Sequence, residues 1–320
     1  MDFPTASAPH VVAGFTVQRV MLQVLVALVP VAAVQVWLYG PGPLRLLAVA
    51  SATALASEAL ALALRRRPAG PSLRDGSVLV TAALLALALP PALPWWLAAF
   101  GTAIAVLLAK HAYGGLGQNP FNPAMVGYAV LLVSFPLEMT RWPAPGADWD
   151  ALTGATALDA LRSGLRERYT MTEIRAGAGF GAVGAADGEW VGLAALAGGL
   201  YLLARRIIRW QIPLAVLAGL AVPAAIAQAL DPGAHPGALF HLFSGAAMMG
   251  AFFIATDPVS AATSDRGRLL YGAGIGLLTW LIRTWGGYPD GVAFAVLLMN
   301  LAVPLLDRAT VPRIHGHPKS

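Results

Sequence analysis

The stretch most suited to chemistry is a polar island at residues 148–164, between two long apolar tracts. Asp150 supplies a carboxylate there, and the small residues Gly154 and Ala155 leave the Thr156 hydroxyl open to a bulky group. The chain has no cysteine, so it can hold neither a thiolate-ligated iron–sulfur cluster nor a disulfide. Redox chemistry in this chain is therefore expected to use an organic cofactor, and Thr156 is its predicted attachment point.

A purely structural role for Thr156 has to be weighed against that chemistry. Thr156 and Asp159 have the spacing of a capping box, in which a threonine hydroxyl accepts from a backbone amide three residues later. The helix that would follow has Leu158, Leu161 and Leu165 on one side. The spacing alone favours this structural role.

A second candidate site combines prolines and side-chain amides near the end of the first apolar half. Pro120 and Pro123 remove backbone donors, so the free carbonyls and amides must be satisfied by Gln118, Asn119, Asn122 or a ligand. The alternative interpretation is an ordinary turn between two helices.

Asp257 lies in a similar proline-containing stretch of the second half, at residues 255–265. This stretch could cap a half-helix, or it could provide ligands for a cofactor or a cation, because an acidic residue near a membrane span is usually paired or functional. The proline-containing elements 118–124 and 255–261 are predicted to be counterparts in the two halves.

Glu58 is a carboxylate among small residues in the second apolar tract. It must be neutral, paired or directed at an interior path. A hydrogen-bonded contact between helices and a site for a coupling ion are both open. The histidines are scattered without metal-ligand spacing, and no metal site is predicted.

The composition is that of a membrane protein. The 320 residues are 58% hydrophobic and 12% charged, with a mean hydropathy of +0.67. A soluble globule cannot hide so much apolar surface, so the sequence predicts an all-α polytopic protein surrounded by lipid. The net charge of +5 does not indicate nucleic-acid binding, because the basic residues form short clusters beside apolar runs. No removable signal peptide is predicted.

Hydropathy predicts about ten transmembrane helices of about 20 residues each. They form two sets of five, at 19–39, 44–64, 76–89, 94–112 and 122–138, and at 190–208, 212–230, 238–255, 268–285 and 290–308. An odd number of spans inverts the second set, so we expect an inverted repeat with broken helices. The predicted divisions are a first repeat (1–138), a loop with the Thr156 motif (139–189) and a second repeat with a C-terminal tail (190–320). Within the loop, residues 176–184 are predicted to be a flexible linker.

The distribution of basic residues predicts the orientation of the chain in the membrane. With the N-terminus in the cytoplasm, fourteen of the 21 lysines and arginines fall inside. They are Arg19, Arg65, Arg66, Arg67, Arg74, Lys110, Arg205, Arg206, Arg209, Arg266, Arg268, Arg308, Arg313 and Lys319. We therefore expect a multi-pass protein of the bacterial inner membrane, with both termini cytoplasmic and residues 139–189 periplasmic.

The motif around Thr156 resembles a known one. Asp150-Ala-Leu-Thr-Gly-Ala-Thr156 is similar to the flavinylation motif Asp-x-x-Ser/Thr-Gly-Ala-Thr of the family that comprises the Rnf D subunits and the Na⁺-NQR B subunits. Thr153 stands where serine is more frequent and Ala157 where proline is common, and neither change removes the hydroxyl. Other stretches are similar to the same family in the same order, at 75–81, 119–125, 255–261 and 283–295. The resemblance spans about residues 10–310.

The resemblance implies two flavins. In that family FMN is joined through its phosphate to the last threonine, here Thr156, and Asp150, Thr153, Gly154 and Ala155 would complete the motif. It also implies a second, non-covalent riboflavin in the membrane part. Asn119, Asn122 and Asp257 are the candidates for this second flavin or for an ion site.

The resemblance further implies an integral component of an ion-translocating electron-transport complex of Rnf type. Such a component relays electrons coupled to Na⁺ or H⁺ movement and is not catalytic on its own. Its expected partners are the A, B, C, E and G subunits of an Rnf-type complex, and a flavin transferase that attaches FMN during maturation.

Two other functions stay open. The B subunit of a Na⁺-translocating NADH:quinone reductase has overlapping motifs, although its chain is usually longer at the N-terminus. A solute channel of the urea-channel type also has a five-plus-five inverted repeat with broken helices, and it would carry no flavin.

Overall fold

The computed structural model describes residues 16–143, 153–154, 156–177, 179–288 and 290–311. Asp150 and Ala155 of the predicted motif lie outside these ranges. Within them, almost all regular structure is helical, and the only sheet has two strands of two residues each.

A helix occupies every span predicted in the first half. The elements are α1 (Val17–Tyr39), α2 (Gly42–Leu64), α3 (Ala69–Arg74), α4 (Ser77–Ala88), α5 (Trp95–Ile104) continuing as the π-helical segment π1 (Ala105–His111), α6 (Pro123–Ser134) and α7 (Pro136–Thr140). The span predicted at 122–138 is interrupted at Phe135, which has φ −134° and ψ 57°. Pro136 explains the break, because a proline disfavours helical backbone in the residue before it.

The second half has a larger departure from the predicted spans. Its elements are α10 (Ala186–Ala204), α11 (Gln211–Leu230), α12 (Ala238–Leu242), α13 (Ala247–Met249) continuing as π2 (Gly250–Ile254), α14 (Asp265–Trp285) and α15 (Val292–Ala309). The span predicted at 238–255 is thus two short pieces rather than one helix. The chain turns between them at Gly245, whose φ of +62° is a left-handed conformation that glycine adopts easily.

The architecture confirms an all-α polytopic membrane protein. Among the described residues, α1, α2, α11 and α15 are long and apolar enough to cross a bilayer, and shorter apolar helices lie at α4, α5–π1 and α6. Helix α4 spans only about 18 Å at 1.5 Å per residue. It is buried on almost all sides, which accounts for its lack of a polar face.

The two halves repeat one packing scheme. In the first, α2 packs against α4 and α5, and α5 packs against α6. In the second, α11 packs against α12, π2 and α14, and α14 packs against α15. The halves meet through α1 with α10 and through α6 with α15. Each pair joins helices of equal rank in their halves.

The two proline-containing stretches occupy different places in the order of elements. Residues 118–124 precede α6, the last span of the first half, whereas 255–261 precede α14, the fourth span of the second. By rank, the counterpart of the first stretch is 286–291, before α15. The two proline-containing stretches, predicted as counterparts, therefore differ in rank, although each lies in the connection that follows a π-helical segment. Asn122 Nδ2 donates to the carbonyl of Ile254, the residue before the second stretch, at 3.2 Å.

The segment between the halves folds onto the helices. Strand β1 (Trp142–Pro143) pairs antiparallel with β2 (Thr153–Gly154), and α8 (Ala157–Arg166) and α9 (Met171–Arg175) follow. A small apolar cluster joins α8 and α9 to the bundle through Leu158, Leu161, Met171, Ile174, Ala185 and Phe240. The Arg162 guanidinium adds hydrogen bonds to the carbonyls of Gly286 and Gly287.

The glycine-rich end of this segment is more ordered than the sequence predicted. Gly181 N donates to the Gly184 carbonyl at 2.8 Å, which closes a turn. Glu189 Oε1 accepts from the backbone amides of Val183 and Gly184, both at 2.7 Å. A flexible linker was predicted at 176–184. In the described part of that range the structure shows a hydrogen-bonded turn instead.

Candidate functional site

A cleft of about 1320 Å³, including its open mouth, lies where α8 meets the helices. We call it the first cleft. Residues of α1, α6, α10 and α15 line it, together with the break between α12 and α13. The lining side chains that matter for chemistry are Tyr39, Tyr128, Trp142, Thr156, Asp159, Asp187 and Asp290.

Thr156 lies on the wall of the first cleft and begins α8. Its Oγ1 accepts from the backbone amide of Asp159 at 3.3 Å, so the predicted helix cap is confirmed. The side chain remains partly exposed and borders the cleft. The structural and the chemical interpretation of Thr156 are therefore compatible, because a capping hydroxyl can also face a cavity.

Aromatic rings form one side of the first cleft. The Tyr39 and Trp142 rings meet edge to face, with centroids 6.1 Å apart. The Tyr39 hydroxyl donates to the Asp187 carboxylate, which fixes the ring at the cleft wall. Pairing of Trp142 with Gly154 places the backbone of the Thr156 motif beside this tryptophan. Such a wall can stack against a planar heterocycle.

The charges of the first cleft are negative. Asp159, Asp187 and Asp290 line it, and its described lining includes no lysine or arginine. The Asp290 carboxylate is paired from behind, because Oδ1 accepts from Arg283 Nε at 3.2 Å and Nη2 at 3.1 Å. Asp290 Oδ2 also accepts from the Ala246 amide at 2.8 Å.

Arg283 holds the broken segment in place. Its Nη1 donates to the His241 carbonyl at 2.6 Å, and its Nη2 donates to the Ser244 carbonyl at 3.0 Å. Sequence reasoning included this residue in the family-like stretch 283–295 and counted its charge outside the cytoplasm, but it assigned Arg283 no structural role. The signal in the sequence was an arginine at the end of an apolar helix, followed seven residues later by an acidic residue, Asp290.

A second cleft, of about 830 Å³ including its open mouth, lies at the other end of the same helices. Asn119, Asn122 and Asp257, which the sequence singled out for a second flavin or ion, all line it. Lys110 and Ser77 also contribute to its wall. The structure therefore brings the three predicted residues together from loops more than a hundred residues apart in the chain.

Asn122 joins the two halves of the protein at the second cleft. Its backbone amide donates to Asn300 Oδ1 at 3.1 Å, and its Oδ1 accepts from the Met125 amide at 3.2 Å, which caps α6. Asn300 in turn donates to the Ser260 carbonyl at 3.0 Å and to the Tyr271 hydroxyl at 2.8 Å. Sequence reasoning missed Asn300, although an asparagine inside an apolar helix was a signal.

Asp257 and Asn119 are held by nearby donors and acceptors. Asp257 Oδ2 accepts from the Ser260 hydroxyl at 2.8 Å, and Oδ1 accepts from the Val259 amide at 3.4 Å. Asn119 Nδ2 donates to the Phe121 carbonyl at 3.0 Å. The prediction that side-chain amides satisfy this irregular backbone is confirmed.

Glu58 is paired inside the bundle. It is 2% exposed, and its two oxygens accept from Lys110 Nζ at 3.1 and 2.9 Å. His111 Nε2 lies 2.7 Å from Glu58 Oε2. The ammonium group occupies the position that a coupling cation would take, which favours the helix-contact interpretation. Lys110 was counted among the basic residues on the cytoplasmic side, and the structure shows it buried, 2% exposed, within π1.

The two clefts come close to each other at π2 and on α4. Phe253 lines the second cleft and Ile254 the first, and on α4 the switch occurs between Leu84 and Leu87. Three helical residues correspond to about 4.5 Å of rise. On these two segments, residues that line different clefts are therefore less than one helical turn apart.

Apolar helices in two similarly packed halves, with clefts at opposite ends, define a polytopic membrane protein with two candidate ligand sites. The model of the NQR2, RnfD, RnfE family matches residues 4–316, and the chain belongs to this family. It is 54% identical to the D subunit of the ion-translocating oxidoreductase complex of Pseudomonas aeruginosa (strain UCBPP-PA14), over all of this chain and 98% of that protein. It is 48% identical to the protein of the same name from Vibrio cholerae serotype O1 (strain O395), over 99% of this chain and 100% of that protein.

Proposed function

We propose that this protein is the membrane-integral D subunit of an Rnf-type ion-translocating oxidoreductase, with FMN esterified through its phosphate to Thr156. Its relatives in Pseudomonas and Vibrio are named as that component. The observation that carries the flavin assignment is the position of Thr156 on the wall of the first cleft, which Tyr39 and Trp142 also line. Bound FMN would supply electron transfer in single or paired steps.

The charges of the first cleft support a covalent rather than a reversible attachment. A free phosphate there would face Asp159 and Asp187 with no basic lining side chain among the described residues. Like charges in a partly buried site repel. The amides of the first turn of α8 offset part of this repulsion, because a helix N-terminus favours an anion. An ester bond to Thr156 would keep the phosphate in the cleft against the repulsion that remains.

The second cleft suits a flavin that has no phosphate. Riboflavin needs only hydrogen bonds and apolar contacts, and Asn119, Asn122 and Asp257 provide polar groups beside an apolar wall. We assign it as the site of non-covalent riboflavin. A bound cation at the Asp257 carboxylate is the alternative for the same residues.

The first cleft would face the periplasm and the second the cytoplasm. Basic residues of short connections support this orientation, because Arg205, Arg206 and Arg209 flank Ile207 and Ile208 of the second cleft. Reporter fusions at residue 160 and at the C-terminus test it. A cytoplasmic signal from residue 160 would contradict the proposed orientation.

Electrons would pass through this protein on their way between the other Rnf-type components (the A, B, C, E and G subunits), and Na⁺ or H⁺ movement would be coupled to that transfer. Attachment of FMN would require a flavin transferase, for which this chain is the substrate. The protein would function in the bacterial inner membrane as one part of the assembled complex.

The decisive test is the mass of the peptide that contains Thr156. When the protein is co-expressed with a flavin transferase, we expect this peptide to carry an added mass equal to FMN less one water. The denatured band should fluoresce in a gel. Thr156→Val should abolish both signals, because valine has the same shape and no hydroxyl to esterify.

Thr170→Val is the matched control. Thr170 also begins a helix, and its Oγ1 accepts from the Glu173 amide at 3.4 Å, yet it does not line the first cleft. This variant should keep full fluorescence. A fluorescent Thr156→Val band would place the flavin elsewhere, and a dark wild-type band would favour a flavin-free solute channel.

A further inference from the structure

Four polar side chains form a continuous hydrogen-bonded row beside the second cleft. His111 Nε2 is 2.7 Å from Glu58 Oε2, Glu58 is 2.9 Å from Lys110 Nζ, and Lys110 Nζ is 3.0 Å from Ser77 Oγ. All four residues are buried. The row therefore connects three ionisable groups over distances at which protons transfer.

One end of the row lies beneath an exposed turn. His111 Nδ1 is buried and has no hydrogen-bond partner within the described chain. A Cβ placed on Gly115 would lie 3.9 Å from this nitrogen, so the ring packs under the glycine-rich turn. Tyr113 and Gly117 of that turn are exposed to solvent. Gly115 is buried and Arg65 Nη1 also lies 3.9 Å from its Cβ position, so the backbone of the turn and the Arg65 side chain separate His111 Nδ1 from the surface.

The other end of the row opens into the second cleft. Lys110 and Ser77 both line it, near Asn119 and Asn122. The Lys110 ammonium is thus the one member that both contacts the buried carboxylate and borders the cavity. A group bound in the cleft could accept a proton from Lys110 Nζ, and Glu58 is positioned to return a proton to that nitrogen.

Stability does not explain this arrangement. A buried ion pair is often matched or exceeded in stability by apolar side chains of similar volume, because desolvation offsets the attraction. Glu58 already has Lys110 as its partner, and His111 adds a third ionisable group with one nitrogen left unsatisfied. An unsatisfied buried nitrogen is itself unfavourable.

We propose that His111, Glu58 and Lys110 form a proton path from the surface under the 112–118 turn to the second cleft. The inference rests on the proposed function of that cleft as a flavin site. The acceptor is an isoalloxazine ring that takes up protons when the complex's electron donor reduces it by two electrons.

Each delivered proton is replaced from solvent. Lys110 Nζ would give a proton to a nitrogen of the reduced ring and become a neutral amine. The Glu58 carboxylate would then accept the Nε2 proton of His111 and pass it to that amine, while His111 Nδ1 binds a proton from solvent. Exchange between its two tautomers then resets the imidazole.

Other charged groups lie near the His111–Glu58–Lys110–Ser77 row, on the elements packed around it. Arg65, at the end of α2, donates to the Gly114 carbonyl at 2.9 Å and lies beside the turn over His111. At the start of α4, the Asp75 carboxylate accepts from the Ser77 amide at 2.7 Å. Asp257 lines the same cleft from the second half.

The test is proton uptake by the assembled complex, followed with a pH-indicator dye while the flavins are reduced. The flavin of the second cleft is not covalently bound, so it can be extracted from the denatured protein. We expect His111→Phe to slow the proton uptake that accompanies reduction of this flavin at least tenfold, because the variant interrupts the path but keeps the Glu58–Lys110 pair. The double variant Glu58→Gln/Lys110→Met should do the same without leaving an unpaired buried charge. Thr102→Val, a buried threonine on the same span that lines neither cleft, should match the wild type.

A second measurement needs no flavin. In the full chain purified without cofactor, nitrogen NMR of labelled histidine should show the His111 ring nitrogens in exchange with water, with a tautomer balance that changes in Glu58→Gln/Lys110→Met. A single fixed tautomer without exchange would overturn the path. So would unchanged proton uptake in His111→Phe while extraction still recovers the flavin. If no flavin could be extracted from the wild-type complex, the proposed function of the second cleft would be refuted instead.

Discussion

The two clefts are built by the same helices but have opposite chemical character. The first is lined by the carboxylates of Asp159, Asp187 and Asp290, with the Thr156 hydroxyl at its edge. The second is lined by the Lys110 ammonium and by side-chain amides, with a single carboxylate, Asp257, among the charged groups of its described lining. The first therefore repels a free phosphate, whereas the second can hold an uncharged ligand by hydrogen bonds alone.

The difference shows why one chain would bind two related cofactors in different ways. A covalent ester is needed where the electrostatic environment opposes the bound group, and it makes retention independent of affinity. Reversible binding suffices where donors and acceptors are already in place. The two environments come close at π2, where Phe253 lines the second cleft and the next residue, Ile254, lines the first.

The largest expected effect is complete separation of two flavin pools. After acid precipitation, flavin of the first cleft should stay with the protein and flavin of the second should appear in the supernatant. Thr156→Val should remove only the first pool, and Asn119→Ala should deplete only the second. Absorbance of each fraction measures both. If Thr156→Val emptied both pools, the two clefts would not be independent sites.

The next effect concerns the support of the first cleft. Arg283→Met should lower the free energy of unfolding by about 3–5 kcal/mol, because it leaves Asp290 and two backbone carbonyls without their buried partner. Denaturant titration of the purified chain measures this. Arg268→Met is the matched control on the same helix, since its pair with Asp265 is largely exposed and should contribute less than about 1 kcal/mol. Equal losses would show that the Arg283 pair is not a support of the cleft.

A smaller effect is expected at the turn of the broken segment. Gly245→Ala should cost about 2–4 kcal/mol, because a Cβ there meets both left-handed backbone strain and the atoms of Asp290 and Leu158. Gly117→Ala has the strain, at φ +85°, but open space around it, and should cost only about 1–2 kcal/mol. The difference between the variants in denaturant titration isolates the contact. Equal losses of unfolding free energy in the two variants would mean that Asp290 and Leu158 move aside at little cost.

The smallest effect compares two helix caps. Thr156→Val and Thr170→Val should each destabilise their own helix by about 1 kcal/mol, because both remove a hydroxyl that accepts from a backbone amide. Hydrogen exchange of the α8 and α9 amides measures this. Similar losses of protection, together with loss of flavin in Thr156→Val alone, would show that position at the cleft gives Thr156 its chemistry. A much larger loss in α8 would instead make the flavin result a consequence of unfolding.

Most of the helices were predictable because apolar runs of membrane length leave few other structures open to the chain. The breaks were less predictable. Pro136 marks the interruption of α6. In 238–255 the Ser244-Gly245 pair is a turn signal, but glycine is also common in membrane helices, so this pair alone does not separate a continuous helix from two pieces. The break there depends on Arg283 and Asp290, which are distant in sequence and which supply partners for carbonyls and amides that the broken helix leaves free.

The sequence by itself determined the membrane class, the absence of cysteine chemistry and the hydroxyl motif at Thr156, because composition and residue identity do not depend on how helices meet. It also marked Asn119, Asn122 and Asp257. Only the tertiary structure decided that these three line one cleft, that Glu58 has Lys110 as its partner, and that Thr156 faces a cavity while Thr170 does not. The physical reason is that hydrogen bonds and ion pairs between distant residues form only after packing brings their atoms within about 3 Å.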